Sequence, residues 1–163
     1  MRPVKTLPHR QSGHLHIRAS LVHSNLNGAK LIRANLQLAD LDELSLVGAD
    51  LSEANLEQCS LVRVKCEGLR LVGSNLKDAD FTGADLSNAN IGQCNLTGTI
   101  FKDANLSGAI VSGANMDDLG DIEGSDWTDV IVRKDVNDKI CARNPQGENP
   151  VTGTPTALSL FCN

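Results

Sequence analysis

Aromatic side chains are nearly missing from this chain: its 163 residues hold no Tyr, one Trp and three Phe. Rings usually dominate the burial energetics of a globular core, so a core of the ordinary kind is excluded, although the hydrophobic share is 40%. Acids are missing from one end. Residues 1 to 39 contain six bases (Arg2, Lys5, Arg10, Arg18, Lys30, Arg33) and no Asp or Glu. Residues 1 to 18, MRPVKTLPHRQSGHLHIR, lack the apolar run of a signal peptide or membrane helix. Catalytic signatures are missing too. There is no G-x-S-x-G, no H-E-x-x-H and no phosphate-cradling Gly loop. His9, His14, His16 and His23 fall within fifteen residues, but no Cys or acid lies near and the spacing fits neither a helix face nor a zinc finger. The sequence therefore points to no catalytic, cofactor-binding or metal-ligating set, and to no enzyme.

What the chain has instead is a period of five. From Leu21 in steps of five to Met116, all twenty positions are apolar, and twelve of the twenty residues two places earlier are Ala. The other three places in each unit are mostly polar. Neither a helix nor a flat strand has this period. A square coil does, with one pentad per side, two side chains turned inward and three outward. Residues twenty apart then stack.

Leu21, Leu41, Leu61, Phe81 and Phe101 form one inward column, with the two rings stacked. Asn35, Asn55, Asn75, Asn95 and Asn115 form an outward ladder. Gly28, Gly48, Gly68, Asn88 and Gly108 share a corner, where their residue types predict a type II turn. With paired-strand spacing of about 4.8 Å, five coils span roughly 24 Å. Open ends of such a stack need covers.

Segments such as SNLKDADFTGADLSNAN resemble the A(D/N)LXX signature of the pentapeptide-repeat family. The resemblance implies an all-β fold, a right-handed quadrilateral β-helix of about five to six coils, with short C-terminal α-helices capping one end. The expected organisation is an N-terminal cap segment over 1–18, the repeat β-helix over 19–132 and a helical cap over 133–163. After Met116 the register slips by one residue, with Leu119 read as the insertion and Ile122 and Trp127 taking the central position. Trp127 is expected between the final coil and the cap. Val132, Val136 and Ile140 make the apolar stripe of one short helix. Thr154 and Pro155 read as N-cap and first turn of a second.

Cys59, Cys66 and Cys94 occupy inward registers and read as buried, reduced fillers. The tail beginning SDWTDVIV and ending LFCN is similar to the C-terminal segment of pentapeptide-repeat proteins of the plant and cyanobacterial thylakoid lumen, where a Cys pair brackets two short helices. That resemblance implies a Cys141–Cys162 disulfide, which closes a 20-residue intervening loop and would stabilise by about 3 kcal/mol. It also implies an oxidising compartment reached through a cleaved targeting segment. Residues 1–18 show none, so a cytoplasmic location is the alternative.

Net charge is −5, and residues 117 to 129 hold six acids and no base. Asp117, Asp118, Asp121 and Glu123 are the candidate patch for a basic protein partner. The expected role is a non-enzymatic scaffold or interaction module in the thylakoid lumen, monomeric, without cofactors, not binding nucleic acid and not inserted in a membrane. The alternative is the DNA-mimicking, topoisomerase-binding role of quinolone-resistance members. The basic first third and the folded-back tail argue against it.

Overall fold

The computed structural model describes residues 24–143, 145–160 and 162. The expected 1–18 cap, the first pentad and the four histidines lie outside them.

The pentads wind into a coil with a corner every five residues. Among the described residues, fifteen parallel bridges join residues twenty apart, from Asn25 with Ser45 to Asn95 with Asn115. Each side also repeats its hydrogen bonds: Leu51 N–H donates to Arg70 O at 2.8 Å and Leu76 N–H to Asn95 O at 2.9 Å. Consecutive turns are thus locked by backbone, which leaves the side chains to fill the bore. Every central residue from Leu41 to Met116 is buried, as is every slim one from Ala39 to Ala109. Where a slim position is polar, its group bonds to a carbonyl of the turn below. Ser74 Oγ donates to Leu51 O at 2.7 Å and Thr99 Oγ1 to Leu76 O at 2.8 Å. No polar cost therefore accrues in the bore. The Phe81 and Phe101 rings stack at 5.6 Å.

The corners differ from expectation in extent. The third residue of the turn has positive φ on all four sides, including at Arg33, Leu38, Glu43 and Gln58. Most corners close with an i to i+3 bond, as from Ala79 N–H to Leu76 O at 3.0 Å, and the residue before has no positive φ. That is the type II pattern, and its positive φ recurs at every fifth residue from Gly28 to Gly113 but not at Asp118. Winding the chain through a right angle each five residues imposes it even where the sequence supplies no Gly or Asn.

The register slip is present, but Leu119 is not the residue extruded. Leu119 stays in the core at 6% exposure. Ile100 is instead faced by two residues: Gly120 N–H bonds to Thr99 O at 2.8 Å, while Asp121 O accepts from Phe101 N–H at 2.8 Å. Two residues opposite one make a bulge. Beyond it the bridges are offset by twenty-one, Asn105 with Asp126 and Ile110 with Ile131. Gly120 sits there because a Cβ would meet Gly98 O at 2.8 Å and Thr99 O at 3.0 Å.

Helix α1 runs Lys134–Cys141 and buries Val136 and Ile140. Helix α2, Thr156–Ser159, is a single turn. It begins later than Thr154 and Pro155 suggest, because that backbone pairs with residues 147–149 first: Asn149 N–H donates to Thr154 O and Thr156 N–H to Gly147 O, with an antiparallel bridge between Glu148 and Pro155. The tail is tied by a disulfide between Cys141 and Cys162. Trp127 lies beneath it at 1% exposure, edge-on to Phe101 at 5.9 Å.

Candidate functional site: the acidic rim and the walls of the coil

The walls carry their charge largely in rungs. Arg33 Nε reaches Glu53 at 2.7 Å, Arg63 reaches Glu43 at 2.5 Å and Arg70 reaches Asp50 at 3.5 Å, each across one turn. The Arg33 hydrogen bond holds the Glu53 carboxyl below its usual range. Exposed pairs of this kind contribute little to stability, but they leave the walls electrically mixed. The asparagine ladder forms three rungs: Asn55 to Asn35 at 3.5 Å, Asn75 to Asn55 at 3.3 Å and Asn95 to Asn75 at 3.3 Å. Asn115 leaves the ladder and donates to Thr97 Oγ1.

At the tail end of the coil, Asp117, Asp118, Asp121 and Glu123 are all exposed. Asp117 and Asp118 occupy the last corner of one side, while Asp121 and Glu123 follow the bulge. The tail brings Lys139 and Arg143 onto this rim, and the turn before it supplies Lys102. Lys139 Nζ bonds to Asp117 Oδ1 at 2.6 Å, and this bond holds the Asp117 carboxyl below its usual range. Lys102 approaches Asp121 at 3.8 Å. The Arg143 guanidinium donates to Leu119 O at 2.9 Å and Gly120 O at 2.6 Å, closing over the bulge. Asp121, Ile122, Glu123, Arg143, Pro145 and Gln146 line a shallow cleft of about 230 Å³ there.

Asp126 is not part of the exposed run. It is 2% exposed and accepts from Thr128 N–H and Oγ1 at 2.9 and 2.7 Å. Burial raises its carboxyl, but hydrogen bonds from Thr152, Thr128 and Thr154 outweigh this and the net shift is downward. Five of the six acids are therefore exposed, Asp129 among them, and Lys102, Lys139 and Arg143 lie against the four-residue patch.

Two residues that hold the tail in place escape sequence reading. Asn149 is 1% exposed, and its amide donates to Asp103 O at 3.2 Å and Ala104 O at 3.0 Å while its Oδ1 caps Val151 and Thr152. Ser159 Oγ accepts from Trp127 N–H at 3.0 Å. The Asn-Pro pair signals a loop and carries no sign of burial.

The three inward thiols are buried and reduced. Burial pushes Cys59 up to about 11 and Cys94 up to about 12, and Cys66 well above its usual value. None is a nucleophile near neutral pH. Among the described residues no group of three or more His, Cys, Asp or Glu could hold a metal ion, and no helix is long and apolar enough to cross a membrane.

The family model for a pentapeptide repeat region matches residues 34–111. A comparison with curated proteins finds no match. Among solved structures, the chain is 35% identical to HetL, a pentapeptide repeat protein involved in heterocyst differentiation regulation from the cyanobacterium Nostoc sp. strain PCC 7120. That match has a TM-score of 0.52 and covers 67% of this chain and 53% of HetL. The chain thus spans about half the length of that relative. It is 32% identical to a pentapeptide repeat protein from the Arabidopsis thaliana thylakoid lumen, over 86% of this chain and 89% of that one, with a TM-score of 0.31. It is 27% identical to Rfr23 of the cyanobacterium Cyanothece 51142, over 71% and 92%, with a TM-score of 0.42.

Proposed function

The chain belongs to the pentapeptide-repeat family, and from that premise we propose that it works as a non-enzymatic scaffold, a right-handed rod of about five to six coils whose walls meet other proteins. The observation that carries this reading is the filled bore. Leu51, Leu71, Leu76, Ala79 and Ala89 are all at 0% exposure, so the repeat leaves its outer walls as the surface on which partners can act.

The contact patch we assign is Asp117, Asp118, Asp121 and Glu123, and its partner is a protein presenting Lys or Arg. Such a patch speeds encounter and selects sign more than it adds affinity. The disulfide between Cys141 and Cys162 supports an oxidising compartment, and the lumenal Arabidopsis relative supports the thylakoid lumen as that compartment.

The test is a pull-down from thylakoid lumen beside a gyrase supercoiling assay. The scaffold reading expects a protein retained by the native chain, lost when the four acids become Asn or Gln, and no effect on supercoiling. Nothing retained, together with clear inhibition of supercoiling, would replace it with the DNA-mimic reading.

A further inference from the structure

The loop that crosses the last turn carries an apolar tip. Val151 is 82% exposed, more than any other large hydrophobic side chain among the described residues. Turn tips are usually Gly, Pro, Asn, Asp or Ser, and a β-branched apolar residue breaks that rule. One exposed apolar side chain standing alone is ordinary on a protein surface. Val151 differs in how firmly it is held.

Its N–H and that of Thr152 donate to Asn149 Oδ1 at 2.9 Å each. Gly153 N–H donates to Asn149 O at 2.8 Å, and Asn149 N–H to Thr154 O at 2.9 Å. Asn149 is buried and bonded to the coil at Asp103 O and Ala104 O, while Thr152 and Thr154 bond to the buried Asp126 carboxyl. The tip is thus a fixed projection on a rigid scaffold, which lowers the ordering cost of any contact it makes.

The same loop walls the cleft at the acidic rim. Gln146 O receives Gly124 N–H at 3.0 Å, and Gly147 passes so near that a Cβ there would meet Glu123 Cγ at 3.1 Å. The cleft, about 230 Å³, is lined by apolar Ile122 and Pro145 and by the acids Asp121 and Glu123. That lining suits a long side chain with an aliphatic stem and a cationic head. Glu148 links cleft to tip, its Oε1 lying 3.6 Å from where a Gly153 Cβ would stand. Arg143 is turned to the Leu119 and Gly120 carbonyls, and neither Glu123 nor Glu148 has a basic partner among the described residues. The surface between cleft and tip is therefore negative.

We propose that the loop 145–153 is the second half of the docking surface: Val151 anchors apolar side chains of a protein partner, while the cleft beside it receives one of that partner's Lys or Arg side chains. This role rests on the acidic patch assigned above and gives the partner its chemistry, a segment in which a base stands next to aliphatic or aromatic residues. Apolar contact supplies the affinity, and the carboxylates supply speed and sign. A bilayer fits less well, because Glu123 and Glu148 would face anionic headgroups.

The test is a random-peptide phage selection on the full chain with its disulfide intact, followed by fluorescence anisotropy of the enriched peptides at low and high salt. Those peptides should place Lys or Arg next to aliphatic or aromatic residues. Val151→Ser should weaken their binding about tenfold and keep its salt dependence. Glu123→Gln/Glu148→Gln should weaken it severalfold and remove most of that dependence. Both variants should keep the native circular dichroism spectrum and unfolding midpoint. Peptides that bind Val151→Ser as tightly as the native chain would overturn the proposal, and the patch itself stands if neutralising its four acids still releases them. Peptides without Lys or Arg, or peptides that the four-acid variant binds equally well, would overturn proposal and patch together. A selection that enriches nothing on the native chain over Val151→Ser contradicts the anchor, and Val151-dependent sedimentation with phosphatidylglycerol vesicles in its place would make the partner a bilayer.

Discussion

The Asn149 amide donates to the Ala104 carbonyl at 3.0 Å, across forty-five positions of sequence, and places a tail residue on the backbone of the coil. The same side chain accepts from Val151 and Thr152 N–H groups at 2.9 Å each. One buried amide therefore both shapes the loop and docks it. Replacing Asn149 by Ala leaves those groups unpaired and should cost on the order of 1 to 3 kcal/mol. Denaturant unfolding checks this, with Asn90→Ser on a half-buried wall position as the comparison. Equal midpoints for the two variants would contradict the docking role.

The bulge makes Gly120 a different glycine from those at the corners. Gly120→Ala drives a Cβ against the Gly98 and Thr99 carbonyls and Ile100 Cγ1 at 2.8 to 3.0 Å, and backbone cannot step aside. Gly48→Ala meets nothing within 4 Å and bears only a positive φ of 64°, a strain of about 1 to 2 kcal/mol. Thermal unfolding should rank Gly120→Ala as clearly the more damaging. The reverse order would move the bulge elsewhere.

Overpacking probes the bore directly. Ala79 is fully buried between turns, and Ala79→Leu should destabilise by about 1 to 3 kcal/mol. An unchanged melting temperature would mean that the position faces outward.

These positions also show what the sequence can and cannot reveal. The five-residue period gives the inward columns, the stacked Phe81 and Phe101 and the Asn35 to Asn95 rungs, because each depends only on residues one turn apart. The Val136 and Ile140 stripe is a local pattern and is equally readable. Corners at Arg33 or Leu38 are not readable from residue type, since the neighbouring turns force the φ that those residues would avoid. The bulge has the same origin. Leu119 looks surplus by counting, yet an apolar side chain gains more by staying inside, so the slip passes to Gly120 and Asp121. For the site, the four carboxylates are readable, but Lys139, Arg143 and the burial of Asp126 arise from where the tail lands, and no period encodes that.

Acid should loosen the tail through Asp126. Its folded carboxyl lies below the ordinary value, since the Thr152, Thr128 and Thr154 hydrogen bonds outweigh burial. A depressed carboxyl contributes stability that is fully present above its unfolded value, near 3.9, and is lost as pH falls through the folded value. Denaturation midpoints should therefore drop below about pH 4, and Asp126→Asn should flatten that limb. A variant with the native acid profile would remove Asp126 from the account.

The thiols divide by chemistry. Without denaturant or reductant near neutral pH, no cysteine should alkylate: Cys59, Cys66 and Cys94 are buried and Cys141 and Cys162 are bonded. In denaturant alone three should alkylate, and mass spectrometry should find all five only after reduction. Ready labelling of Cys141 and Cys162 in the native chain would remove the disulfide and, with it, the support for an oxidising compartment.

The vertical stacking of residues twenty apart is tested most directly by crosslinking. Asn55 and Asn75 are bridged neighbours, and paired-strand spacing of about 4.8 Å falls within the Cα range a disulfide accepts. An Asn55→Cys/Asn75→Cys variant should close a disulfide on mild oxidation, whereas an Asn55→Cys/Arg70→Cys variant, on adjoining sides of the square, should not. Equal crosslinking of both pairs, or crosslinking of the second alone, would contradict the coil.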